Sequence, residues 1–347
     1  MENVLIKTSK KKRSFEFNKL KNNENLLNII FTIITFLVMI IIIINPKKYT
    51  SGTIAGLKLF FYSVLPGLFP FMLLTKILTE LNVVEKFFSK FDKFTKFLFG
   101  TPGISLYVLF MSILSGYPIG AKIIADLYNK KIINATDAKK MSVFCTTSGP
   151  IFVIGSVGTL MFNSYKIGLI LYFSHILSSI LLGIICHIFD KNKQNLQQNS
   201  INLQFSKNIN IIAYAINETI SSLFIVCAYI TIFYLIGEIL DYLNLFNIIS
   251  NIINPLLLKL HLSPVYTKNV VYGILEVTRG LKNLSSTATN ASIILSSGIL
   301  SFSGLSIIFQ SMSFLKQANL KTGTFVLSKI LHSILSMILC FLMLKIF

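Results

Sequence analysis

The stretch from Phe144 to Gly158, FCTTSGPIFVIGSVG, limits this chain more than any other. It lies inside an apolar segment, Met141 to Phe162, that is long enough to cross a bilayer, yet it holds three consecutive hydroxyls, a Gly149-Pro150 step and two further glycines. Pro150 has no N–H to donate and the glycines weaken a helix, so the carbonyls near Thr146 and Thr147 leave the helical ladder. In hydrocarbon, loosened backbone persists only where protein or a water-filled cavity surrounds it. The stretch therefore reads as a broken helix lining a binding cavity at mid-membrane depth, as in secondary transporters.

The rest of the composition suits that setting. Of 347 residues, 53% are hydrophobic and only 13% charged, which is a multi-span membrane protein with no soluble domain left over. The net charge of +19 does not point to nucleic acid, because the lysines fall in short connections between apolar spans, where they set membrane orientation. Cys145, Cys186, Cys227 and Cys340 sit singly in apolar runs and read as buried packing residues, with neither disulfide nor metal spacing. No cofactor is expected.

Residues 1–25 form a basic segment, with Lys7, Lys10, Lys11, Lys12 and Arg13 ahead of the apolar run Leu26 to Ile44. That run is too long for a signal peptide and ends in Asn45-Pro46-Lys47-Lys48 without a small-residue cleavage site. It is expected to be an uncleaved anchor over residues 26–45, with the N-terminus in the cytoplasm. A first repeat over residues 57–189 follows. Its span Leu57 to Leu78 is interrupted by Pro66-Gly67 and Pro70, and Val83 to Phe99 alternates phenylalanines with lysines like a helix lying in the interface. Ile104 to Leu114 is about half the length that a ~30 Å hydrocarbon layer requires. It ends in Ser115-Gly116-Tyr117-Pro118-Ile119-Gly120-Ala121-Lys122 before helix resumes, which predicts a re-entrant hairpin. The broken helix and a return span, Ile167 to Phe189, complete the repeat. A polar linker, residues 190–207, reads as a cytoplasmic loop.

Residues 208–347 repeat the plan: a span Ile209 to Leu240, an amphipathic stretch Asp241 to Leu260, and a short apolar piece Val265 to Leu275 ending in Glu276-Val277-Thr278-Arg279-Gly280. One offset lays Gly120 on Gly280 and Lys122 on Lys282. A shorter offset lays Ser148-Gly149 and Gly155 on Ser297-Gly298 and Gly304, and His175 parallels His332. Counting crossings places the two copies in opposite orientation. The expected fold is an all-α polytopic membrane protein, an inverted structural repeat with re-entrant helical hairpins and broken transmembrane helices.

Glu276 and Arg279 sit where the membrane should be, and such charges need compensation. They either pair with each other, or Arg279 offers a planar fork to a carboxylate while Glu276 holds it or takes a coupling proton. Lys122 is the matching cation of the first repeat. Thr146, Thr147 and Ser148 on one side, with Ser301, Ser303, Ser306 and Gln310 on the other, could face a shared site, and a half-helix starting after each break presents free N–H groups to an anion. His175 and His332 read as hydrogen-bonding helix contacts. No nucleophile and base pair, phosphate loop or metal-ligand cluster occurs, so an enzyme is not expected.

The motifs SGYPIGAK (Ser115 to Lys122), FCTTSGPIFVIGSVG, KIGLILYFSH (Lys166 to His175), LEVTRG (Leu275 to Gly280) and FSGLSIIFQ (Phe302 to Gln310) resemble those of the YlbJ family of sporulation integral membrane proteins, built from two nucleoside-recognition, or Gate, domains. The resemblance runs from about Leu57 to the C-terminus. It departs from the family pattern at Thr146-Thr147, where an amide pair is usual. It implies a multi-pass protein of the outer forespore membrane that moves dipicolinate, a planar dianion, from the mother cell. The expected site joins Ser115, Gly116, Tyr117, Pro118, Gly120, Lys122, Thr146 to Pro150, Glu276, Thr278, Arg279, Gly280, Ser303, Gly304, Ser306 and Gln310. The resemblance leaves a nucleoside substrate open, and a non-transporting scaffold that recruits sporulation proteins through its basic loops is the alternative of another class. The choice between a coupling proton and a sodium ion, and the oligomeric state, stay open.

Overall fold

A computed structural model describes residues 26, 28–81, 83–190, 210–259 and 263–346, and every regular element among them is helical. By its contacts the chain divides into a unit ending at Ser51 and a unit beginning at Gly52. The first carries α1, Asn28–Ile44, whose large apolar side chains point outward, Phe31 and Ile43 each 73% exposed. Exposure of this kind suits a helix solvated by lipid. The basic N-terminal segment and the polar linker beyond Asp190 lie outside the described residues.

From there two runs of the same parts follow in the same order. The first opens with α2, Pro46–Leu59, which continues through a π-helical turn, Phe60–Val64, into α3, Leu65–Glu80. Pro66 and Pro70 cannot donate, and Leu65 N–H reaches five residues back to Phe60 O, widening the helix instead of ending it. Next come α4, Val83–Phe88, and α5, Asp92–Phe99, then the hairpin α6, Ile104–Ser115, with α7, Ile119–Asn129. The broken helix is α8, Ala135–Phe144, followed by a π-helix, Ile151–Met161, and α9, Tyr165–Ile188, closes the run. The second run is α10, Ile211–Tyr242; α11, Leu245–Lys259; the hairpin α12, Val265–Leu275, with α13, Val277–Ser285; the broken helix α14, Asn290–Phe302, with α15, Gly304–Gln317; and α16, Gly323–Ile346.

The turns repeat as well. Left-handed residues follow each hairpin, Lys131 at φ 59° and Ala288 at φ 45°, and precede each closing span, Asn163 at φ 52° and Asn319 at φ 57°. Side-chain caps on Asn134 and Thr289 start both first half-helices by satisfying bare N–H groups.

Equivalent helices run antiparallel. Lys76 on α3 meets Glu218 near the start of α10 at 3.8 Å, whereas a Cβ on Gly56 would lie 2.9 Å from Thr231 and one on Gly52 2.8 Å from Glu238. Numbers fall along one partner as they rise along the other. Likewise Ile180 and Ile184 of α9 share a core with Phe325 of α16, while Ile170 and Leu171 share one with Cys340. The halves are therefore inverted.

Helices α9, α10 and α16, and α14 with α15 taken together, are long and apolar enough to cross a membrane. The 12 residues of α6 reach about 18 Å, well short of a ~30 Å core, so it enters and turns back as α7. One expected correspondence is corrected: Ser297-Gly298 lies inside unbroken α14, and the second break falls at Ser303-Gly304, where Ser303 turns left-handed at φ 76°. The Ser297-Gly298 pair stays helical because it serves packing, Ser297 bonding Ser336 at 2.6 Å and Gly298 admitting Met337. Cys186 is exposed on α9, unlike the other three cysteines, because none of the described residues covers that face of the helix.

Gly158 and Gly168 bring the π-helix and α9 into backbone contact: a Cβ on Gly158 would lie 2.3 Å from Gly168 Cα, whereas one on Gly155 meets nothing within 4 Å. Gly158→Ala is expected to lower the melting temperature of the detergent-solubilised protein by the equivalent of about 1–3 kcal/mol. Gly155→Ala is expected to leave it unchanged or raise it by up to about 1 kcal/mol.

Candidate functional site

Four interruptions of the helical backbone carry the site: Gly116 to Pro118, residues 145–149, Glu276 and Ser303. In each half the hairpin tip seats against the break in the long helix. A Cβ on Gly116, at φ 88°, would lie 2.6 Å from Gly149 N, and one on Gly304, at φ 67°, would lie 3.1 Å from both Gly273 O and Val277 N. Only glycine permits either approach. The unwound stretch is held by side chains: Thr147 N–H donates to Ser112 Oγ at 2.8 Å and Ser179 Oγ donates to Phe144 O at 2.6 Å. Those bonds answer the demand that released backbone groups be satisfied inside the protein.

The two halves join at the midpoints of α9 and α16. His175 Nε2 accepts from Ser148 N–H at 2.8 Å, which leaves the ring proton on Nδ1 to donate to Ser301 Oγ, also at 2.8 Å. His332 Nε2 donates to His175 O at 2.9 Å, and the two rings stack with centroids 4.7 Å apart. One helical turn from His332, Lys329 is 1% exposed. Its Nζ donates to Thr146 O and Thr146 Oγ1, each at 2.7 Å, and to Tyr117 Oη at 3.3 Å, and lies 4.6 Å from the Tyr117 ring centre. The Tyr117 hydroxyl has the Ser303 side chain beside it. One hairpin tip, both breaks and both closing spans thus meet around one lysine.

The expected residues do not all fall in one place. Tyr117, Thr146, Ser148 and Ser303 belong to this cluster. Gly116, Pro118, Gly120, Thr147, Gly149, Pro150, Gly280 and Gly304 shape the backbone around it, Gly120 against Cys145 O and Gly280 against Gly273. Ser115 Oγ is buried without a hydrogen-bond partner among the described residues, and Gln310 donates to Ser306 at 3.3 Å. Glu276 does not pair with the Arg279 side chain. Its carboxylate caps α13, accepting from Thr278 N–H at 3.1 Å and Arg279 N–H at 2.8 Å, as an acid at a helix start does where bare N–H groups are nearest.

Both expected cations, Lys122 and Arg279, are engaged by carboxylates at opposite ends of α10. At one end Lys76, Lys122 and Lys130 interleave with Glu80, Asp126 and Glu218, the closest contacts being 3.0 to 3.3 Å. At the other, Arg279 contacts Asp241, has Glu238 at 3.9 Å, and lies 4.3 Å from the Tyr272 ring centre. Glu218 and Glu238 stand about 30 Å apart by helix rise, close to the thickness of a hydrocarbon core. Lys329 differs from all of these, because no carboxylate lies within 4.0 Å of it among the described residues. It was also the charge that the sequence reading passed over, although a lysine inside an apolar span is costly and needs compensation.

The chain is similar to the sporulation integral membrane protein YlbJ of Bacillus subtilis (strain 168). The two are 24% identical over 324 residues, which cover 88% of this chain and 79% of YlbJ, so the likeness to YlbJ takes in both inverted halves. No family model matches the chain, and no solved structure matches it.

Replacing His175 with Ala would leave Ser148 N–H buried without an acceptor. The protein should lose about 1–3 kcal/mol of stability, read as a lower unfolding temperature in detergent.

Proposed function

We propose that this chain belongs with the YlbJ-like sporulation membrane proteins and is a secondary transporter, not an enzyme, that moves a small organic anion by alternating access. The observation that carries the proposal is the meeting of unwound backbone from two inverted halves at mid-span. Backbone polar groups in a membrane interior go with a wet cavity or a bound solute, and inverted repeats with broken helices supply the rocking geometry that alternating access uses. The substrate we favour is dipicolinate, a planar aromatic diacid, because the cluster offers a buried ammonium, hydroxyls and an aromatic ring in one place. The sporulation role in the name of the Bacillus relative agrees with this. On this reading the protein sits in the outer forespore membrane with its N-terminus in the cytoplasm.

The two ionic clusters at the ends of α10 act as the gates. Each ties α10 to a neighbouring helix, and opening one while the other holds exposes the central site to one side at a time. Ion pairs that are partly solvated suit that task, since their net contribution is small and they exchange readily with water.

Purified protein reconstituted into liposomes should accumulate labelled dipicolinate above protein-free vesicles, with excess unlabelled dipicolinate competing and uridine not competing. Uptake of uridine without dipicolinate would make this a nucleoside carrier. Uptake of neither, by protein that is folded and inserted, would contradict transport and favour a scaffold.

A further inference from the structure

We infer that Lys329 is the charge-recognising residue of the central site and binds a carboxylate of the transported solute, with His332 Nδ1 as the neighbouring acceptor for a hydrogen-bond donor on the same solute. The inference rests on the transporter reading and adds to it the residue that selects an acid over a neutral solute.

Lys329 is buried to within 1% of its surface, and its hydrogen-bond partners among the described residues are neutral oxygens: the carbonyl and hydroxyl of Thr146 and the hydroxyl of Tyr117. The other buried lysine among the described residues, Lys76, and the half-buried Lys122 both have carboxylates beside them. An ammonium enclosed among dipoles alone is short of one negative charge, and a monovalent anion supplies it. Its present acceptor, Thr146 O, belongs to the unwound stretch, so it can turn away without breaking a helical ladder.

A second observation marks the same place. His332 is 1% exposed and its Nδ1 has no hydrogen-bond partner among the described residues. Because His332 Nε2 donates to a carbonyl, Nδ1 carries the lone pair and is an open acceptor. Lys329 and His332 are three apart on α16 and so share a face. A cation lacking an anion, beside an acceptor lacking a donor, matches an organic acid with one carboxylate and one proton-bearing atom. A diacid fits in its singly protonated form. A neutral nucleoside leaves the ammonium uncompensated.

Thermal unfolding of the full chain in detergent, titrated with picolinate, dipicolinate and uridine in a mildly acidic buffer in which a sizeable fraction of each acid carries one proton, tests this. Both acids should raise the melting temperature of the wild type and uridine should not. Lys329→Met and Lys329→Gln should each weaken acid binding at least tenfold, and the glutamine variant keeps donors for Thr146 and Tyr117 should the methionine variant fail to fold. Without ligand, Lys329→Gln should melt at or above the wild-type temperature, since it removes the uncompensated charge and keeps a donor for Thr146 O. A lysine with a purely structural role gives the opposite pattern: a lower melting temperature with unchanged affinity. Unchanged affinity in either variant overturns the inference while leaving transport intact. Lysine-dependent binding of picolinate without dipicolinate upholds the inference and removes dipicolinate as substrate. Binding of uridine alone, or of none of the three, overturns the inference.

Discussion

Hydrocarbon offers nothing to a free N–H or C=O, and that constraint organises this protein. A helix may be interrupted at mid-depth only if other groups take over the backbone partners it gives up. Here each break is capped by the tip of a hairpin from its own half, at a distance that only glycine allows, and Ser112, His175 and Ser179 bind the groups left over. The hairpins are short for the same reason: they need reach only to the break and back.

Inversion then decides what the breaks can do. Antiparallel pairing of α9 with α16 puts His175 and His332 face to face, and brings Thr146 of one half within reach of Lys329 of the other. Pairing of α10 with α2 and α3 puts charged residues at both ends of one long helix, leaving its middle apolar. Polar chemistry is therefore concentrated in three places along the membrane normal, one central and two terminal. The central cluster joins the halves through few bonds, most of them to unwound backbone or to hydroxyls, and such contacts can be exchanged without unfolding a helix.

Much of this was legible in the sequence because proline, glycine and apolar length act locally. Gly116-Tyr117-Pro118 and Gly149-Pro150 announce their breaks whatever surrounds them, and the 12 residues of α6 and 11 of α12 are too few to cross. The similarity that lays Ser148-Gly149 on Ser297-Gly298 runs six residues ahead of the structural match at Ser303-Gly304, because that break has no proline and its left-handed turn depends on the hairpin tip packed upon it. Partners were harder still. Nothing local says that Glu276 prefers the amides of its own helix start, or that Arg279 turns to Asp241 on another helix. Lys329 escaped notice as one lysine in an apolar span, since its importance comes from Thr146 and Tyr117, which reach it from far along the chain.

The central claim is that the halves face opposite ways across the membrane, and the turns that follow the two hairpins test it most directly. Ala135 and Ala288 are exposed just after the hairpins of the first and second halves. Single cysteines there, in a background with Cys145, Cys186, Cys227 and Cys340 replaced, can be probed in oriented vesicles with a membrane-impermeant maleimide. An inverted repeat predicts labelling from opposite sides, and labelling of both from the same side would contradict it.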